Sequence, residues 1–386
     1  MKNGQFAVFL TIVLSIWGLM HAYVCWRVWS LPWIQAHLSK TALILGTLGL
    51  WAFYPLARMS ESVLPWDVGR ALEFAAAMYL GVVFLMVMAL LTLDVVTLGG
   101  WIAHSQAPRL RAAAFITAAT LALVATVQGL RPPVVREHRI YLKNLPAERD
   151  GTVILFLSDM HLGSLIGAEW LERLVERVQQ MRPDVIVLVG DILDGSPGRI
   201  ESLMPGLKKL YAPLGVWAVT GNHEYYAGLD RCVSQMEGAG LRVLRDRSVE
   251  IAPGLVLAGV DDFTARPGGH SDTQPLQNVL ASRPPGATVL LSHTPWHTRA
   301  AAQLGADLML SGHTHDGQIW PFNFFVKTRY PHLAGRYEID GMQLLVCRGT
   351  GTWGPRMRLW RPSEMLKLTL RSGVAPVSPG LPAGKT

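Results

Sequence analysis

The 386-residue chain is poor in cysteine and poor in charge. Its three cysteines, Cys25, Cys232 and Cys347, are odd in number and far apart, which argues against a disulfide framework and a thiolate zinc site. Each reads as a buried free thiol. Asp, Glu, Lys and Arg make up 16% of the residues, below the usual quarter. Lys and Arg outnumber Asp and Glu by 35 to 28, a formal net charge of +7. No run of basic residues accompanies that excess, so nucleic acid is not an expected partner. The basic residues gather beside apolar segments instead, which points to anionic lipid or an anionic substrate.

What is abundant is apolar. Hydrophobic residues form 50% of the chain, and the first third holds long runs of them. Four stretches stand out, at 6–26, 41–55, 72–98 and 112–130. About 20 apolar residues are needed to cross about 30 Å of hydrocarbon. The first, third and fourth reach that length, whereas the second is shorter and interrupted by glycines. Trp26, Trp29, Trp33, Trp51, Trp66 and Trp101 lie near segment ends, as an interfacial aromatic belt does. A cleaved signal peptide over the first stretch would need a small-residue cleavage site, and Trp26-Arg27-Val28-Trp29 is a poor one. An even number of crossings puts the N-terminus and everything after residue 131 on one side. Lys2, Arg58, Arg70, Arg131, Arg136, Arg139 and Lys143 fall on that side, against Arg27, Lys40, Arg109 and Arg111. By the positive-inside rule that side is cytoplasmic. His21, Glu73 and Asp94 lie toward span ends, where snorkelling or interfacial placement is expected.

The expected organisation is a transmembrane domain over 1–131, a linker over 132–151, a catalytic domain over 152–371 and a disordered, Gly/Pro/Ala/Ser-rich tail over 372–386. After Arg131-Pro132-Pro133 short apolar runs alternate with helical stripes. Val153–Leu157 ends in Ser158-Asp159, and Val185–Val189 ends in Gly190-Asp191. The same happens at Gly221-Asn222, Asp261-Asp262, Ser292-His293 and Gly312-His313. In α/β sheets ligands bind outside the carboxyl ends of the strands. Loops far apart in sequence are therefore expected to build one site.

Five fragments carry the chemistry: Asp159-Met160-His161, Gly190-Asp191, Gly221-Asn222-His223-Glu224, Ser292-His293 and Gly312-His313-Thr314-His315. Each alone is weak, since a single Asp after a strand is usually a cap or turn residue. Together, in order and each at a strand end, they point to metal. Oxygen and nitrogen donors without thiolate suit Mn2+, Fe or Zn2+, with Mn2+ the first choice. A carboxylate bridging two ions polarises a phosphoryl group and makes hydroxide near neutral pH.

The order Asp-x-His, Gly-Asp-x-x-Asp, Gly-Asn-His-Glu, His, Gly-His-x-His resembles the calcineurin-like metallophosphoesterase superfamily. The run Gly312-His313-Thr314-His315-Asp316-Gly317-Gln318, with Arg348-Gly349-Thr350-Gly351, resembles its membrane-associated YkuE/YaeI-like branch. The resemblance covers about 152–370. It implies a four-layer α/β/β/α sandwich, which here follows the α-helical four-span membrane domain read from the apolar stretches. It implies two divalent metal ions: Asp159, His161 and His315 hold the first, Asn222, His293 and His313 hold the second, and Asp191 bridges them. His223 would face the phosphate and protonate the leaving oxygen, and Asp194 would orient it, although Asp194 also fits a helix cap. A metal-bridging hydroxide would attack phosphorus in line. The branch often has glycine where Asp316 stands, so an extra negative side chain is expected beside the ligands.

Asp261 and Asp262 read as structural, and His270, His297 and His332 as surface residues or neighbours of the ligands. Trp296, Trp320 and Phe322 either wall a lipid-like substrate or simply pack. The expected function is a membrane-anchored phosphodiesterase or pyrophosphatase acting on a phosphoester, such as a lipid-linked one. The branch resembles enzymes that cleave a UDP-diacylglucosamine pyrophosphate bond. The alternative is a non-catalytic metal-binding membrane sensor on the same scaffold, and a transporter is disfavoured by the lack of charge mid-span.

Overall fold

The computed structural model describes residues 3–60 and 64–374. It divides into two compact units. One comprises Met1–Arg131 with two short later stretches, Ile319–Pro321 and Gly354–Trp360. The other holds Pro132–Gln318, Phe322–Trp353 and Arg361 onward.

The first unit is helical. Four stretches, Thr11–Trp29, Lys40–Met59, Trp66–Gly100 and His104–Leu130, are long and apolar enough to cross a membrane. The second, read from sequence as short and glycine-broken, lies in one 21-residue helix, Lys40–Ser60. A helical glycine costs only about 1 kcal/mol against alanine, which neighbouring turns absorb. Polar groups expected to snorkel are paired within this unit. Arg27 Nη2 lies 2.6 Å from Asp94 Oδ2, Arg58 pairs with Glu73, and His21 Nε2 lies 2.8 Å from the Tyr79 hydroxyl. Pairing offsets desolvation without a reach to water.

The second unit is built from strands β1 Val134–Leu142, β2 Val153–Leu157, β3 Val185–Val189, β4 Val216–Val219, β5 Arg242–Val243 and β6 Arg247–Ala252. Then come β7 Leu255–Gly259, β8 Ala287–Leu291, β9 Leu308–Ser311, β10 Gly335–Ile339, β11 Met342–Val346 and β12 Glu364–Ser372. They form two six-stranded sheets, ordered β1-β12-β2-β3-β4-β5 and β10-β11-β9-β8-β7-β6. The strands carrying the site are β2 to β4, parallel to one another, and β8 and β9, parallel to each other and to β7.

Successive strand residues point to opposite faces, and the core clusters follow that period. Ile154, Phe156, Val187 and Val189 meet Leu257, Val289, Leu291 and Leu310 between the sheets. Leu155, Leu157, Ile186 and Leu188 turn outward under Leu171, Leu174, Val175 and Val178 of the helix Ala168–Gln180. Ala258, Leu290 and Met309 turn the other way, under Leu276, Val279 and Leu280 of the helix Gln274–Ala281. Helix, sheet, sheet and helix therefore stack in four layers, as expected.

One boundary needs correction. The stretch 132–151, read as a linker, contains β1, which pairs in parallel with β12 from Val134↔Glu364 to Leu142↔Ser372. An edge strand buries little, here only Ile140 and Leu142, so no apolar run announces it. Its partner lies more than two hundred residues later. The tail expected over 372–386 falls outside the described residues from 375 onward.

Candidate metal centre

Each expected ligand follows a strand of the second unit. Asp159 and His161 follow β2, Asp191 and Asp194 follow β3, and Asn222 and His223 follow β4. His293 follows β8, and His313 and His315 follow β9. The turns that aim them are demanding. Asp159, His161, Asp191, His313 and His315 all have φ between +47° and +69°. Non-glycine residues seldom adopt that region, and such strain gathers at functional sites.

Glycines let the loops close up. A Cβ on Gly221 would stand 2.2 Å from Asp191 Oδ1, and one on Gly312 would stand 1.7 Å from Ser158 Oγ. Both positions therefore need glycine for close approach rather than for φ.

The site residues converge. Asp159 Oδ1 lies 3.4 Å from His315 Nε2, and the Nε2 atoms of His161 and His315 lie 3.1 Å apart. Asp191 Oδ2 lies 3.1 Å from His293 Nε2 and 3.8 Å from His161 Nε2. His313 Nδ1 lies 3.3 Å from His293 Nε2. Asp159, His161 and His315 thus form one group able to hold an ion, and Asp191, His293 and His313 form another. Asp191 faces both, as a bridge would.

These residues fit divalent cations on four counts. Two pairs of imidazole nitrogens face each other at 3.1 and 3.3 Å, close enough for both members of a pair to ligate one ion. His293 Nδ1 donates to the Val189 carbonyl at 2.9 Å, which fixes the tautomer and aims the Nε2 lone pair at the cluster. The Asn222 Oδ1 is buried without a hydrogen-bond partner, and a buried orphan acceptor implies an unseen donor or ion. The donor set is hard to borderline, which suits Mn2+, Fe or Zn2+.

His223 stands beside the cluster. Its Nδ1 lies 3.1 Å from Asp194 Oδ1, and its backbone N–H donates to Asp191 Oδ1 at 2.9 Å. Burial pulls the imidazole pKa down, but the carboxylates of Asp191 and Asp194 outweigh it and lift the value to about 9. Burial pushes the Asp194 carboxyl up, and the neighbouring imidazoles of His223 and His161 more than reverse that. The helix-cap alternative for Asp194 fails, because the following helix Pro197–Glu201 has Ser196 at its N-cap.

Asp316 does not add charge to the ligands. Its Oδ2 is 3.0 Å from Arg348 Nε and 3.2 Å from an Arg361 nitrogen, so two guanidinium groups hold it. Asp261 accepts from Thr220 Oγ1 and Arg245, and Asp262 accepts from Thr264 and Thr294. Both are structural. His297 packs on Phe263 and His332 on Tyr337; the His270 side chain lies outside the described residues. Trp296 stacks on Tyr330, Trp320 touches Trp360, and Phe322 lies near Phe325 while 43% exposed.

Two residues carried no expected role. Glu224 accepts hydrogen bonds from the backbone N–H groups of Asp191, Ile192, Leu193 and Gly221 at 2.7–3.0 Å. It ties the Asp191 loop to the Asn222 loop. The signal was its place in the Gly-Asn-His-Glu run. The Tyr330 hydroxyl lies 2.8 Å from His313 Nε2, which turns Nδ1 toward the centre. No sequence pattern links those two.

A family profile described as calcineurin-like phosphoesterase matches residues 152–317. An uncharacterized metallophosphoesterase of Helicobacter pylori is 36% identical over 248 residues, 63% of this chain and 65% of that protein. A transmembrane protein with metallophosphoesterase domain from Danio rerio is 32% identical over 272 residues, 67% of this chain and 62% of that protein. An uncharacterized metallophosphoesterase of Aquifex aeolicus is 36% identical over 251 residues, 61% of this chain and 91% of the relative. The chain thus spans less than two thirds of the first two relatives' own length.

Proposed function

The chain belongs to the calcineurin-like phosphoesterase family, and from that premise we propose that it is a dimetal hydrolase of phosphodiester or pyrophosphate bonds. We assign Asp159, His161 and His315 to one ion, Asn222, His293 and His313 to the other, and Asp191 to both. The observation that carries this reading is Asp191 Oδ2 lying within 4 Å of both His161 and His293. Bound there, two divalent cations, Mn2+ first among candidates, supply charge to phosphoryl oxygens and acidify water.

The chain's own groups do the rest. His223 is oriented by Asp194 through its Nδ1, and it donates a proton to the leaving oxygen. Asp194 fixes the ring by its Nδ1 and leaves Nε2 as the donor. Ser158 and the His313 backbone N–H donate to Asp159 and hold its carboxylate in place.

Four helices apolar enough to span a membrane support a substrate that is itself lipid-linked. The distribution of Lys and Arg supports a cytoplasmic catalytic unit. A protease-protection assay that finds this unit sealed from the cytosol would reverse the sidedness.

The test of the activity is a panel of bis-p-nitrophenyl phosphate and glycolipid diphosphates, run on the purified full chain with Mn2+, Zn2+ or chelator. Chelator-sensitive release of product from one class is expected. No chelator-sensitive turnover on any member would overturn the hydrolase reading in favour of a sensor.

A further inference from the structure

Two exposed aromatic rings stand against the imidazole of His223. Tyr226 meets it at 5.5 Å between centroids and 64° between planes. Trp353 meets it at 6.3 Å and 75°. These residues are 68% and 52% exposed. Burying a large apolar side chain is worth about 1.5–3 kcal/mol, and both rings forgo half or more of that.

Both rings are held where they are. Tyr226 follows His223 by three residues on the helix Asn222–Ala227. Trp353 is bracketed through its backbone by the side chain of Gln318. Gln318 Nε2 donates to the Trp353 carbonyl at 2.9 Å, and the Trp353 N–H donates to Gln318 Oε1 at 2.9 Å. Gln318 is buried and lies three residues beyond His315. The loop that carries a metal ligand therefore also fixes Trp353 over the proton donor.

We propose that Trp353 and Tyr226 line a subsite for an apolar leaving group, with Gln318 as a positioning residue. The assignment rests on the reading that the metal cluster holds a phosphoryl group with His223 on its leaving side. An apolar group departing past His223 covers two rings that are otherwise in water. Aromatic or acyl groups share this chemistry.

The test uses the full chain in detergent, loaded with Mn2+, and calorimetric titration with methylphosphonate, butylphosphonate and phenylphosphonate. Butylphosphonate or phenylphosphonate should bind roughly tenfold tighter than methylphosphonate, a difference of about 1.4 kcal/mol. Which of the two gains more separates an acyl from an aromatic preference. The ratio should fall toward one in Trp353→Ala and survive in Trp353→Phe. Tyr226→Phe keeps the ring while removing the hydroxyl that hydrogen-bonds Asn222, so the ratio should survive in it and fall in Tyr226→Ala. Methylphosphonate binding with no preference for the larger groups overturns the subsite alone. So does a ratio unmoved by both alanine variants. No binding of any phosphonate overturns the subsite together with the phosphoryl reading.

Discussion

One carboxylate serves two histidines: Asp194 Oδ1 lies 3.1 Å from His223 Nδ1, and Asp194 Oδ2 lies 3.4 Å from His161 Nδ1. Asp194→Asn keeps the shape and removes the charge. Partners of this kind typically cost 10–100-fold when lost, so kcat should fall by about that factor. His223→Ala should lower kcat by about 10²–10⁴-fold while elemental analysis still finds metal. Near-normal turnover by His223→Ala would remove the proton-donor role.

Asp191 faces both proposed ion positions, so Asp191→Asn should reduce bound metal as well as rate. Metal per chain should drop below that of the parent protein, and turnover should fall by at least about 10²-fold. Chelation of the parent should give the same loss of rate with unchanged far-ultraviolet circular dichroism, because the two-sheet core is apolar and independent of the ligands. A lower melting temperature after chelation follows from mass action, and Mn2+ should restore both properties.

Gly221→Ala adds one carbon 2.2 Å from Asp191 Oδ1. The carboxylate or its loop must move. We expect a large loss of metal affinity from a substitution that changes no ligand, read by calorimetric Mn2+ titration. An unaltered affinity would mean that the Asp191 loop is looser than its packing indicates.

Glu224→Gln replaces a carboxylate that accepts four backbone N–H groups. An amide offers one acceptor oxygen and presents an NH2 group to donors. Hydrogen bonds to charged groups contribute about 1.5–3 kcal/mol each. Chemical denaturation should therefore show a loss of at least about 2 kcal/mol, with reduced metal affinity because two ligand loops part.

The candidate site was legible because each proposed ligand lies within a few residues of the end of an apolar run, and burial forces that run to be a strand. Asp159 after Val153–Leu157 and Asp191 after Val185–Val189 need nothing more than the rule for strand ends. What stayed hidden depends on contacts without local pattern. β1 is a largely exposed edge strand, and only its pairing to β12 gives it a role. Asp316 looked like an added charge beside the ligands because Arg348 and Arg361, which hold it, lie 32 and 45 residues away. Tyr330 reaches His313 by way of an intervening helix, Phe322–Arg329. Glu224 was visible as part of a motif, but its four donors come from two separate loops.

The position of β12 between β1 and β2 has a consequence for biosynthesis. Every proposed metal ligand precedes residue 364, the last of them being His315. The sheet beneath them nevertheless lacks its sixth strand, and β1 has nothing to pair with, until the last strand emerges. A nascent chain halted before Glu364 therefore carries all the ligands on a scaffold with an open edge. Completion of the sheet, rather than synthesis of the proposed ligands, is then the expected moment at which the centre becomes rigid.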